Sequence, residues 1–64
     1  MSYVLVNKTA KNITYHSSIE ETVRQLLMDG VGEYKVGKTL GNGKASNLEA
    51  NEQKLFYAFL KYNR

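Results

Sequence analysis

Sixty-four residues leave room for one domain with a small core and modest stability. The chain has no cysteine and a single histidine, which argues against a disulfide framework, a thiolate metal site or a protein-only zinc site. Nine basic residues against six acidic ones make it mildly basic, which permits a nucleic acid or an acidic protein surface as partner and compels neither.

No stretch reaches transmembrane length, and the N-terminal residues lack the layout of a signal peptide. The expected location is therefore the cytoplasm, with no membrane contact. The Asn-X-Thr triplets at Asn7 and Asn12 then carry no meaning as glycosylation acceptors.

Tyr3, Val4, Leu5 and Val6 are continuously apolar. They predict a central strand over 3–7, covered on both faces. Residues 7–12 are polar and read as a loop. Ile13, Thr14, Tyr15 and His16 alternate, which predicts a strand over 12–16 with Ile13 and Tyr15 inward, forming a hairpin with the first.

A helix over 18–29 follows. Ser18 and Glu21 have the spacing of a capping box, and Glu20 and Glu21 complement the helix dipole. Ile19, Val23, Leu26 and Leu27 form one apolar stripe, with Met28 opposite it and exposed. Gly30 stands where a left-handed cap ends a helix.

Gly32 to Thr39, GEYKVGKT, is a literal match to the phosphate-loop pattern G-x-x-x-x-G-K-[ST]. That loop needs a strand before it, a helix after it and small residues within it. Here a helix end precedes it, a turn follows, and Glu33, Tyr34, Lys35 and Val36 are bulky and alternating. The stretch reads instead as a strand over 33–40, with Tyr34, Val36 and Leu40 on one face and Lys35 on the other. Gly41, Asn42 and Gly43 make a tight turn.

A second helix is expected over 47–62, with Ser46 and Glu49 as a further capping box. Its stripe is Leu48, Leu55, Phe56, Phe59 and Tyr62, but Glu52 shares that face. A buried, uncompensated glutamate is costly. Either Glu52 reaches the edge of the stripe, or the helix begins near Asn51 and 44–48 is a short hairpin strand. The longer helix is the preferred reading.

The expected fold is thus α+β, β-β-α-β-α. A three-stranded, mainly antiparallel sheet of order 2-1-3 carries both helices on one face. The other face stays open or meets a partner. Either Tyr3 and Leu5, or Val4 and Val6, line that face beside Lys35.

No catalytic constellation emerges. His16 has no serine–carboxylate or metal-ligand set around it, and the first-turn position of Glu20 and Glu21 explains them. No cofactor or metal is expected. The chain reads as a non-enzymatic protein-binding module, in the size range of phage or mobile-element inhibitors and adaptors. Its partner would be a larger protein or protein–nucleic acid complex. The alternative is a small basic RNA- or DNA-binding protein. Candidate contact residues are Tyr3, Leu5, His16, Met28, Lys35, Lys38, Asn42, Lys44 and Tyr57. If 33–40 is a strand, calorimetry with ATP or GTP and magnesium detects no binding, and Lys38→Ala leaves folding intact. Micromolar nucleotide binding lost on that substitution would restore the phosphate-loop reading.

Overall fold

A computed structural model of the chain describes residues 2–40 and 43–63. Its elements are β1 (Tyr3–Asn7), β2 (Asn12–His16), α1 (Ile19–Asp29), β3 (Tyr34–Thr39), β4 (Ala45–Asn47) and α2 (Ala50–Tyr62). The strands form one antiparallel sheet of order β2-β1-β3-β4. The sheet thus has four strands, where three were expected. The expected turn at Gly41 and Asn42 lies outside the described residues.

The sides of the sheet follow from β1. Leu5 is in the core with Ile19, Val23 and Leu26 of α1 and Phe56 and Leu60 of α2. Successive side chains of a strand alternate in side, so Tyr3, Leu5 and Asn7 face the helices and Val4 and Val6 face away. Register carries this outward. Leu5 pairs with Thr14 on one flank and with Val36 on the other. Asn12, Thr14, His16, Tyr34, Val36 and Lys38 therefore lie on the helix side. Asn12 confirms it by donating to Asp29 Oδ2 of α1 at 3.2 Å. Ile13 and Tyr15, expected inward, are exposed on the opposite face. Alternation within β2 was read correctly, but its phase is set by pairing with β1, which places the polar residues under α1.

Polar groups fix the turns. Asn7 is fully buried. Its Oδ1 accepts from the Ala10 N–H at 2.9 Å, and its Nδ2 donates to the Gly30 carbonyl at 3.1 Å. One side chain thus closes the β1–β2 turn and ties it to the end of α1. At the start of α1, Ser18 Oγ accepts from the Glu21 N–H at 3.1 Å. The Glu21 carboxylate accepts from the Ser17 hydroxyl at 3.0 Å.

The four residues that define the phosphate-loop look-alike, Gly32, Gly37, Lys38 and Thr39, are each engaged in the fold. A Cβ on Gly32 would lie 2.4 Å from Thr9 Oγ1, the atom that accepts from the Glu33 N–H at 2.8 Å. A Cβ on Gly37 would lie 2.6 Å from the Ser46 carbonyl oxygen of β4. Lys38 pairs with Glu52 across the helix–sheet interface. The Thr39 N–H donates to the Ser2 carbonyl at 2.9 Å. Backbone amides that sit in a β-ladder are turned sideways, so they form no phosphate cradle. Since Lys38 is an ion-pair partner, Lys38→Ala strands Glu52 and destabilises the fold, contrary to the expectation above.

The second helix starts at Ala50, not at 47, and β4 occupies the stretch before it. The Leu40 N–H donates to the Lys44 carbonyl at 2.9 Å. β4 then pairs Ala45, Ser46 and Asn47 with Thr39, Lys38 and Gly37. Extending α2 back through Ser46 would forfeit that ladder. The real cap is Glu49, whose N–H donates to Glu52 Oε1 at 3.1 Å. The buried stripe of α2 is accordingly Glu52, Phe56 and Leu60. Leu55 and Tyr62, expected in the core, are 49% and 87% exposed. Large-to-small changes at buried positions cost the transfer energy plus a cavity. Leu26→Ala and Phe56→Ala should therefore each lose about 2–5 kcal/mol in urea unfolding, whereas Leu55→Ala should lose less than about 1 kcal/mol. Equal losses at Leu55 and Phe56 would show that the helix face is wrongly assigned.

Candidate functional site

Two features compete as the working part of the molecule. One is a cluster of ionisable groups between sheet and helix, the other the helix-free face of the sheet.

The cluster centres on Glu52. Lys38 Nζ lies 2.9 Å from Glu52 Oε1, and Tyr3 Oη donates to Glu52 Oε2 at 2.9 Å. With the Glu49 N–H also donating to Oε1, both carboxylate oxygens are occupied. Glu49 lies 3.8 Å from the same ammonium. The hydrogen bond from Lys38 holds the Glu52 carboxyl below its ordinary range, and the Glu49 N–H and Tyr3 hydroxyl add to this against the effect of burial. The same bond raises Lys38. Tyr3 is raised by donating to Glu52 and by burial. General acid–base chemistry needs a group brought toward neutrality. Here all three groups move away from it, which is the signature of an ion pair that holds structure.

The helix-free face is built differently. The outer face of an antiparallel sheet is ordinarily polar. On this one Val4 pairs with Tyr15 and Val6 with Ile13, giving four contiguous apolar side chains. Ile13 is 59% exposed and Tyr15 66%. A groove of about 330 Å³ runs across the face, lined by Ser2, Val4, Tyr15, Thr39, Lys44 and Ala45. Lys35 projects beside Val6, its register partner. Lys8 and Lys11 stand exposed in the β1–β2 turn at one end, and Lys44 stands at the groove. No described strand places an acidic residue on this face; Glu33 lies just before β3.

The candidate contact residues separate accordingly. Lys35 and Lys44 belong to this face. Tyr3, Leu5, His16 and Lys38 do not, because all four lie on the helix side. Leu5 is 1% exposed, Tyr3 and Lys38 are bound to Glu52, and His16 Nε2 lies 2.8 Å from Thr14 Oγ1. Met28 is exposed on α1, away from the sheet. Tyr57 is exposed on α2. It meets the Phe56 ring edge-on at 5.6 Å and lines a separate cleft of about 430 Å³ with Tyr34, Leu48 and Gln53. Asn42 lies outside the described residues.

Sequence reasoning missed Ile13 and Tyr15. The available signal was Lys38: two residues after Val36, it had to share the core side of β3, which fixes Tyr3 beside it by register and turns Tyr15 outward. Among the described residues no group of three His, Cys, Asp or Glu side chains could hold a metal ion, and no helix is long and apolar enough to cross a membrane. Comparison with protein families, curated proteins and solved structures finds no match.

The ion cluster sets the pH dependence. Glu52 has a depressed folded value, so its stabilisation is present above the unfolded value and lost as pH falls below 4.5 through the folded one. Lys38 and Tyr3 have raised folded values, so theirs is lost as pH rises above 10.5 and 10.0. In urea titrations, Glu52→Gln should be weaker than the parent at neutral pH and should lose less on acidification. Parallel acid limbs would show that Glu52 is not stabilised in its charged form.

Proposed function

We propose that the chain is a non-enzymatic protein-binding module that docks through the helix-free face of its sheet. Its partner is a larger protein offering an apolar patch bordered by carboxylates. The observation that carries this reading is the contiguous block Val4, Val6, Ile13 and Tyr15 on a sheet face that would otherwise be polar.

The face has the parts a protein interface uses. Tyr15 supplies an exposed aromatic anchor with few rotamers to immobilise. Val4 floors a groove beside it. Lys35 and Lys44, with Lys8 and Lys11 at the end of the hairpin, give the border of the apolar centre an excess of positive charge over the single Glu33 beside Lys8, which favours acidic partners and speeds encounter. The non-enzymatic part rests on the ion cluster, which is saturated by its own members and turned away from this face.

The nucleic-acid reading draws on the same lysines. Stacking platforms use several aromatics in succession, and Tyr15 is the single aromatic on the strands of this face. Affinity capture from a nuclease-treated bacterial lysate, with captured proteins identified by mass spectrometry, separates the readings. Tyr15→Ser should abolish capture of a defined protein, Lys35→Glu should slow its association, and Tyr57→Ala should leave it unchanged, all three variants keeping the parent's circular dichroism. Capture that survives Tyr15→Ser, or that requires Tyr57, would place the interface elsewhere. Capture lost with nuclease would favour nucleic acid.

A further inference from the structure

The sheet has an edge whose geometry is complementary to itself. The Thr39 N–H donates to the Ser2 carbonyl, and the Lys8 N–H donates to the Glu33 carbonyl. These bonds bracket the β1–β3 ladder. Since backbone direction alternates along a strand, Ser2, Val4, Val6 and Lys8 bond toward β3. Tyr3, Leu5 and Asn7 therefore bond toward β2. Their register partners are His16, Thr14 and Asn12. This leaves the N–H and C=O groups of Ile13 and Tyr15 directed outward from β2, an outermost strand of the sheet.

We infer that a second copy of this chain adds to that edge, β2 against β2, in antiparallel register about a twofold axis through Thr14. In that register Ile13 of one copy stands opposite Tyr15 of the other, and the reverse. Each of these is a hydrogen-bonded pair, so the outward groups of both residues are satisfied on both copies, by four backbone bonds in all. No other antiparallel register about a twofold axis pairs these two residues with each other.

The side chains agree with the backbone. On the helix-free face the pairing sets the Ile13 side chain of each copy against the Tyr15 ring of the other, a β-branched–aromatic pair of the kind that stabilises antiparallel sheets. These are the side chains left 59% and 66% exposed. On the helix side Thr14 meets its own copy. Beyond the strand, Lys11 of one copy comes opposite Ser17 of the other, whose hydroxyl donates to Glu21 at 3.0 Å. Each end of the paired edge thus brings an ammonium toward a carboxylate, and no like-charged residues meet on the paired strands. β2 also lacks the devices that protect an edge: it has no proline, no bulge and no charged residue within 12–16. The product is a continuous eight-stranded sheet, twice the four described for one chain. Its helix-free faces lie side by side and remain uncovered, so the pairing is separate from the partner reading above.

The contact is small, so dimerisation is concentration-dependent. Sedimentation velocity from micromolar to near-millimolar protein should show a monomer giving way to a dimer. Amide exchange followed by NMR over the same range should show Ile13 and Tyr15 slowing in step with the dimer, while Thr14, already bonded to Leu5, changes little. Tyr15→Pro removes an outward N–H without touching the β1–β2 ladder, and should stay monomeric with the parent's circular dichroism. A parent that remains monomeric throughout would overturn the inference. So would a dimer in which the Ile13 and Tyr15 amides exchange as fast as in the monomer, or a Tyr15→Pro variant that dimerises like the parent. The exchange measurement needs no variant, so it decides even where Tyr15→Pro fails to fold.

Discussion

The ion pair between Lys38 and Glu52, with Tyr3 as third member, is the constraint from which the rest of this small fold follows. Each charge alone would be expensive on an apolar face. Together they satisfy one another at 2.9 Å, and the pairing sets a register. Glu52 must sit over Lys38 and Tyr3, which fixes the rotation of α2. Phe56 and Leu60, one and two turns further along, then enter the core, and Leu55 and Tyr62 turn out of it. Glu52 also accepts from the backbone N–H of Glu49, so the same carboxylate marks where α2 begins. A helix that starts there leaves the chain before it free to form β4.

The consequence reaches the far side of the sheet. Tyr3 is held toward α2, so Val4 and Val6 face away from the helices. β2 pairs with β1 in the register that puts Asn12 beside Asp29, and Ile13 and Tyr15 join the valines. In a domain this size one helical layer covers one side of one sheet. The apolar residues of β1 exceed what that layer can bury, and the surplus lies on the face and edge where binding is proposed. Structure and proposed interface thus share a cause: a central strand apolar on both sides, in a fold that covers one of them.

Much of the architecture was legible in the residues. The continuous apolar run at Tyr3 to Val6 marked a central strand, and β1 lies between β2 and β3. Ser18 and Gly30 bounded the first helix because capping is local chemistry. The phosphate-loop look-alike was read as a strand from the bulk of Glu33 to Val36. What failed was non-local. The phase of Ile13 and Tyr15 depends on a pairing across a turn, which alternation within a strand cannot supply. The start of α2 depends on partners for Glu52 that lie far away in sequence, Lys38 on β3 and Tyr3 on β1. Glu52 was recognised as misplaced on its stripe, and Lys38 stood on the apolar side of its strand. Two polar residues each out of place on facing surfaces were the signal, and it becomes readable only when the two are considered together. Of the candidate contacts, Tyr3, Leu5, His16 and Lys38 lie on the helix side, a choice between two phases that was open in the sequence for Tyr3 and Leu5, whereas Lys35 and Lys44 lie on the helix-free face.

The measurement that bears most directly on this account is a double-mutant cycle at Lys38 and Glu52, read by urea unfolding at neutral pH with Lys38→Met, Glu52→Leu and both together. A pair that sets the register through mutual satisfaction predicts strong non-additivity. Each single variant strands a charge and loses stability, and the double variant regains part of it. Single losses that simply add in the double variant would contradict the account, since the two side chains would then be energetically independent and something else would hold α2 in place.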